Sequence, residues 1–177
     1  MATFVALLRG INVGKAKRLP MAQLRELLAD LGYSDIATLL NSGNAVFRAS
    51  GSASAKHAKD IAAAIVERFK FEVPVIVKSA KELAAIVVEN PLPAIPSEHS
   101  RFLVGFVQDT QTLAGLKGIE SLVKPPEQFA VGKSAAYLYC ARGILESKAG
   151  EALLGKAGSV TTSRNWATVL KLAALAK

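Results

Sequence analysis

Cysteine is almost missing. Cys140 is the only one in 177 residues, which rules out an internal disulfide and a multi-thiolate zinc site. That usage predicts a reduced, cytoplasmic setting. Histidine is scarce too: His57 and His99 have no ligand spacing between them, so neither a metal nor a cofactor is expected. Aromatic residues make up 6%, without the clustered signature by which RNA-binding sheets stack bases. No run approaches the roughly 18 apolar residues of a membrane span. The apolar stretch Phe4–Leu8 stops at Arg9, so a strand is expected there and not a signal peptide.

What is present suffices for a folded core. Apolar residues reach 51%, ordinary for a globular chain, and the length suits one large domain or two small ones. The net charge of +8 is uneven. Residues 1–30 hold five Lys/Arg against two Asp/Glu, 31–141 hold eleven against ten, and 142–177 hold six against two. The surplus therefore sits at the two ends, where it would favour anionic partners.

Periodicity and punctuation predict an order of elements. Thr3–Leu8 reads as a strand. Pro20 suits the first turn of a helix carrying Met21, Leu24, Leu27, Leu28 and Leu31, with Gly32 as its C-cap. Ile36–Leu40 and Ala45–Arg48 read as strands joined by the turn Asn41-Ser42-Gly43-Asn44. A helix from Ser54 carries Ile61, Ile65 and Phe69, Val73–Val77 is a strand, and Ser79 with Glu82 forms a capping box for a third helix. Prolines 91, 93 and 96 exclude regular structure over a linker at 90–100. The order then repeats: strand 101–107, a helix capped by Asp109 and running to about Leu116, strands 128–131 and 136–141, a helix over 145–154, a strand at 160–162, and a last helix with Trp166, Val169, Leu170 and Ala173 on one face. Each half reads β-α-β-β-α-β plus one helix. The expected fold is a duplicated ferredoxin-like α+β protein of antiparallel sheets with helices on one face, its halves being 1–89 and 101–177. In that topology the loop leaving the first strand and the turn 41–44 lie side by side.

Arg9-Gly-Ile-Asn-Val-Gly-Lys15 has the ingredients of a phosphate cradle between strand and helix. Three residues separate Gly10 from Gly14-Lys15 where a Walker motif needs four, and Ala16 replaces the metal-binding hydroxyl. Gly132-Lys133-Ser134 fails likewise, with Glu127 in place of the first glycine. An anion held by Arg9, Lys15 and backbone N–H groups is what survives. The turn 41–44 explains itself as a hairpin, and Ser42 and Asn44 gain interest only as neighbours of that loop. Thr161–Ser163 suit N-caps, whereas Arg164 and Asn165 suit a helix start poorly. Trp166 reads as core, although an Arg beside a Trp also fits a base or a phosphate. Cys140 reads as a buried, inert strand residue, and Tyr137 and Tyr139 as ordinary strand packing.

The runs Ala6-Leu-Leu-Arg-Gly-Ile-Asn-Val-Gly14, Met21-Ala-Gln-Leu-Arg-Glu-Leu-Leu28, Ser42-Gly-Asn-Ala-Val-Phe47 and Thr162-Ser-Arg-Asn-Trp-Ala-Thr-Val-Leu-Lys-Leu172 resemble the uncharacterised bacterial family known as domain of unknown function 1697. The resemblance implies the same duplicated ferredoxin-like fold and brings no activity, substrate or catalytic residue. Lys15 stands where the family usually has glycine, and Leu92 where it usually has an aromatic. The motifs single out Arg9, Gly10, Asn12, Gly14, Ser42, Asn44, Arg164, Asn165 and Trp166 as candidate ligand-binding residues. The leading expectation is a cytoplasmic protein holding an anionic ligand (nucleic acid, nucleotide or phosphorylated metabolite). Two alternatives stand beside it. One is an enzyme on a phosphorylated or carboxylated small molecule, with Arg9 and Arg164 as clamps and Asn12 or Asn44 as anchors. The other is a structural oligomer without a ligand.

Overall fold

The computed structural model describes residues 1–155 and 157–177. They form two compact units, Met1–Leu83 with Leu172–Lys177 and Ala84–Lys171.

The first unit carries strands β1 (Ala2–Leu8), β2 (Ser34–Leu39), β3 (Asn44–Ala49) and β4 (Val75–Ser79), with helices α1 (Met21–Asp30) and α2 (Ser54–Phe69). The strands lie in the order β2-β3-β1-β4, and neighbours are antiparallel. Phe4, Ala6 and Leu8 alternate onto one face, beside Ala45, Phe47 and Val77, and pack on Leu24, Leu27 and Leu28 of α1 and Ile61 and Ile65 of α2. Val5, Leu7, Val46 and Ile76 on the other face are buried as well. That is why β1 reads as an unbroken apolar run. Pro20 stands at the N-cap of α1, one position earlier than expected, and its carbonyl accepts the Leu24 N–H at 3.0 Å. Gly32, at φ 85°, ends the helix. Its N–H reaches Ala29 O and the Tyr33 N–H reaches Leu28 O, which is a Schellman closure.

Helix α3 (Ala80–Glu89) follows β4 without a loop. The predicted capping box forms: the Glu82 N–H donates to Ser79 Oγ at 3.1 Å, and the Ser79 N–H donates to Glu82 Oε2 at 2.6 Å. Ser54 Oγ donates a second bond to the same carboxylate. Burial pushes the Glu82 pKa up, but these bonds and the charge of Lys78 bring it below the usual value.

The second unit holds strands β5 (Phe102–Val107), β6 (Gln128–Val131), β7 (Ala135–Tyr139) and β8 (Thr161–Asn165), with helix α4 (Lys148–Leu154) and the start of helix α5 (Trp166–Leu175), whose residues from Leu172 onward belong to the first unit. Its strand order, β6-β7-β5-β8, repeats that of the first unit. Leu103, Val107, Ala136 and Leu138 pack on Leu153 and on Leu113, Leu116 and Ile119. On the opposite face the Tyr137 hydroxyl donates to Ile86 O of α3 at 2.6 Å, and Phe102 meets Trp166 of α5 at 5.2 Å. Helical residues thus cover both faces of this sheet.

Several sequence expectations are corrected here. The helix after Asp109 is a 3-10 stretch over Thr110–Leu122, longer than expected. Leu113, Leu116 and Ile119 recur every three residues, the period at which 3-10 side chains eclipse. The proline segment is not wholly irregular, since Pro96–Arg101 forms a 3-10 turn. Pro96 fits its first position, where no N–H is required. β8 extends to Asn165, so Arg164 and Asn165 are strand residues and their poor fit to a helix start no longer arises. Leu172, rather than the half-exposed Leu170, joins Trp166 and Val169 among the buried residues of α5.

His57 lies in the interior of the first unit. It is 6% exposed and sits among Phe4, Tyr33 and Phe47, with ring centroids 4.6, 5.3 and 6.0 Å away. Its Nδ1 shares a hydrogen bond of 2.9 Å with the Tyr33 hydroxyl. Burial pushes the His57 pKa down, with Asp60 opposing and Lys56 adding to the shift. The neutral ring is therefore the native form. As pH falls below the ordinary histidine value of 6.5, the unfolded chain takes up a proton that the folded chain refuses, and stability declines. We expect the unfolding free energy to drop as pH falls below 6.5, by at most about 1.4 kcal/mol per pH unit for this group. His57→Gln flattens that slope, and an unchanged slope in the variant refutes the assignment.

Candidate functional site

The loop that leaves β1 is built around Asn12. Its backbone takes the left-handed conformation, φ 57°, which asparagine tolerates better than most residues. The Asn12 N–H donates to Lys17 O at 3.1 Å and closes the loop on itself. The side chain closes it again: Oδ1 accepts the Leu19 N–H at 2.8 Å, and Nδ2 donates to Leu19 O at 2.9 Å. Ile11 and Leu19 are buried at either end. The residues between them are pushed outward. Val13 is 74% exposed, and Gly14, Lys15, Lys17 and Arg18 are exposed as well.

The hairpin turn lies against this loop, as its topology predicts. Asn12 Nδ2 makes its second bond to Asn41 O at 2.7 Å, and the Leu8 N–H donates to Gly43 O at 2.9 Å. Gly43 has φ 96°, and a Cβ there would stand 2.8 Å from both Leu8 Cβ and Ile11 Cδ1. Glycine is required for the backbone angle and for the space. Asn44 is fully buried in β3 and donates to Leu39 O at 2.7 Å and to Ser42 Oγ at 3.1 Å.

The first two motifs therefore meet in the first unit, but their residues divide by task. The side chains of Asn12 and Asn44 are committed to backbone partners and position the loops. Arg9 is half-buried, and its N–H is tied to Pro74 O at 3.1 Å. Gly10, Gly14 and Ser42 are exposed. Lys15, Lys17 and Arg18 present the charge. Among the described residues none of these three forms an ion pair, so their field is uncompensated at short range. Lys17 and Arg18 lie outside the motifs that single out candidate ligand-binding residues. The run Lys-Ala-Lys-Arg over 15–18 was the available signal. Lys17 also borders an open recess of about 460 Å³, shared with Val66, Val73 and Pro74.

The third motif belongs to the second unit. Asn165 Oδ1 accepts the Thr168 N–H at 2.9 Å, so it, and not the preceding hydroxyls, caps α5. Trp166 is buried against Phe102. Arg164 pairs with Val104 in the sheet and donates to Ser163 O at 2.8 Å. Burial lowers its pKa to about 10, which leaves it charged at neutral pH. Thr162 Oγ1 and Ser163 Oγ beside it are buried without a hydrogen-bond partner among the described residues. Cys140 is buried, as expected, and burial raises its pKa to about 11. Among the described residues no cluster of His, Cys, Asp or Glu could hold a metal, and no helix is long and apolar enough to cross a membrane.

Fold and loop together define a class of α+β protein with a duplicated split βαβ order and a basic loop on its first strand. The chain belongs to the family described as Protein of unknown function (DUF1697), which it matches over residues 1–137. In structure it is similar to the conserved bacterial protein SP0830 from Streptococcus pneumoniae, with a TM-score of 0.81 and 25% identity over 99% of each chain. No curated protein matches it.

The clamp is testable apart from any ligand. Asn12→Ala strands the Leu19 N–H and two carbonyls, and is expected to cost about 2–3 kcal/mol in chemical denaturation. Gly43→Ala should cost about 1–3 kcal/mol through strain and overlap. A loss below about 0.5 kcal/mol for either would remove the positioning role.

Proposed function

We propose that the protein binds an extended polyanion, the phosphate backbone of a nucleic acid, through the basic loop of its first unit, and does so in the cytoplasm. The observation that carries this reading is the set of three exposed cations, Lys15, Lys17 and Arg18, on a loop held at both ends by Asn12. A fixed loop loses little freedom on binding, so its charges act together. The setting is open, which suits a backbone tracked by point charges better than an enclosed substrate. The enzymatic alternative is weakened because its polar anchors, Asn12 and Asn44, already bond to backbone carbonyls. Base recognition is not part of the proposal, so binding should be indifferent to sequence.

Three phosphate contacts imply a slope of log K against log salt of about −2 for single strands and about −2.7 for duplex. Affinity for duplex should then fall about 40-fold between 50 and 200 mM salt. The variant Lys15→Gln/Lys17→Gln/Arg18→Gln should lose most of that slope and keep its fold. Fluorescence anisotropy with labelled RNA and DNA checks both points. Absence of binding at about 20 mM salt, or an undiminished slope in the variant, sinks the proposal.

A further inference from the structure

The second unit holds a recess of about 150 Å³ that plays no part in the reading above. Three chain segments meet around it: the turn that follows the 3-10 stretch, the turn that follows β7, and the start of α4. Each brings one cation, in turn Lys124, Arg142 and Lys148. All three are exposed, and none forms an ion pair among the described residues.

The segments are held by bonds of their own. The Glu127 N–H donates to Lys124 O at 2.9 Å, and the Lys124 N–H donates to Glu127 Oε2 at 3.2 Å, so the first turn is clamped reciprocally. The Gly143 N–H donates to Cys140 O at 2.9 Å in the second turn. Ser147 Oγ accepts the Gly150 N–H at 3.0 Å and fixes the start of α4. Glu127 and Glu146 also border the recess. The Glu127 carboxylate already has a backbone donor, whereas Glu146 is exposed. Three cations and two carboxylates line the recess beside Leu122 and Pro125, which leaves it a positive excess.

We infer that this recess binds a small metabolite through a carboxylate or phosphate group. A cavity of this volume admits about six to eight non-hydrogen atoms, near the size of benzene. The Arg142 guanidinium supplies a planar fork that matches either oxyanion, and Lys124 and Lys148 flank it as point charges. Glu146 is placed to accept from an amino or hydroxyl group on the same molecule. The site draws on none of the residues of the basic loop, so the two proposals stand or fall separately.

Amide NMR spectra of the whole chain, titrated at constant ionic strength with succinate and, separately, with inorganic phosphate, provide the test. Saturable shifts at Lys124, Arg142, Gly143 and Lys148 are expected with at least one probe, and the responding probe identifies the oxyanion. Arg142→Gln, a change at an exposed position, should weaken that binding by about tenfold or more. The triple Lys15/Lys17/Arg18 variant should leave it unchanged. Shifts that fail to saturate with both probes, or that spread evenly over lysines and arginines throughout the chain, overturn the inference. So does saturable binding that Arg142→Gln and Lys148→Gln both leave intact.

Discussion

At the end of β1, the main chain at Gly43 approaches Leu8 and Ile11 so closely that no methyl group fits between them. The central strand is buried on both faces and has no solvent side on which to place a charge. Arg9 and the cations after it can only follow where the strand stops. The loop is turned outward there by Asn12, which bonds to Leu19 and Asn41. Substituting Gly43 would part the hairpin from the strand end. Without Asn12, the loop would lose both its own closure and its link to the hairpin.

The two units share one strand order yet differ at this connection. Twelve residues, 9–20, separate β1 from α1, whereas only Gln108 and Asp109 separate β5 from the 3-10 stretch. A short connection leaves no room for a protruding loop. The basic loop is thus what the first half has and the second lacks. The second half gathers its exposed cations elsewhere, on the turns around Lys124 and Arg142 and at the start of α4.

Much of this was legible in the residues. The capping box at Ser79 and Glu82, the helix stop at Gly32 and the meeting of the loop with the hairpin rest on local chemistry or on topology, and the structure contains all three. The 3-10 stretch escaped because a period of 3.0 and one of 3.6 diverge slowly, and Leu113 and Leu116 satisfy both. The end of β8 escaped because the polar residues Ser163, Arg164 and Asn165 do not advertise a strand. His57 sits in a polar helix start, so its burial depends on Phe4, Tyr33 and Phe47, which are distant in sequence. Asn12 belongs to the motif that marks candidate ligand groups. Its bond to Asn41 spans 29 residues, and no local pattern reveals a side chain already engaged at that distance.

The charge distribution can now be weighed residue by residue. A net +8 spread evenly would speak only to solubility. Arg48, Lys56, Arg68 and Arg101 lie in ion pairs, and Lys78 is buried in β4. At the C-terminal end Arg164 is a largely desolvated strand residue, so that end's surplus is only partly at the surface. At the N-terminal end the surplus is carried by one short loop, with Lys15, Lys17 and Arg18 inside four consecutive positions and no carboxylate before Glu26. Three charges held that close repel one another in the free protein. An anion shared among them would relieve that repulsion. A backbone with regularly spaced phosphates can do so without an enclosing pocket.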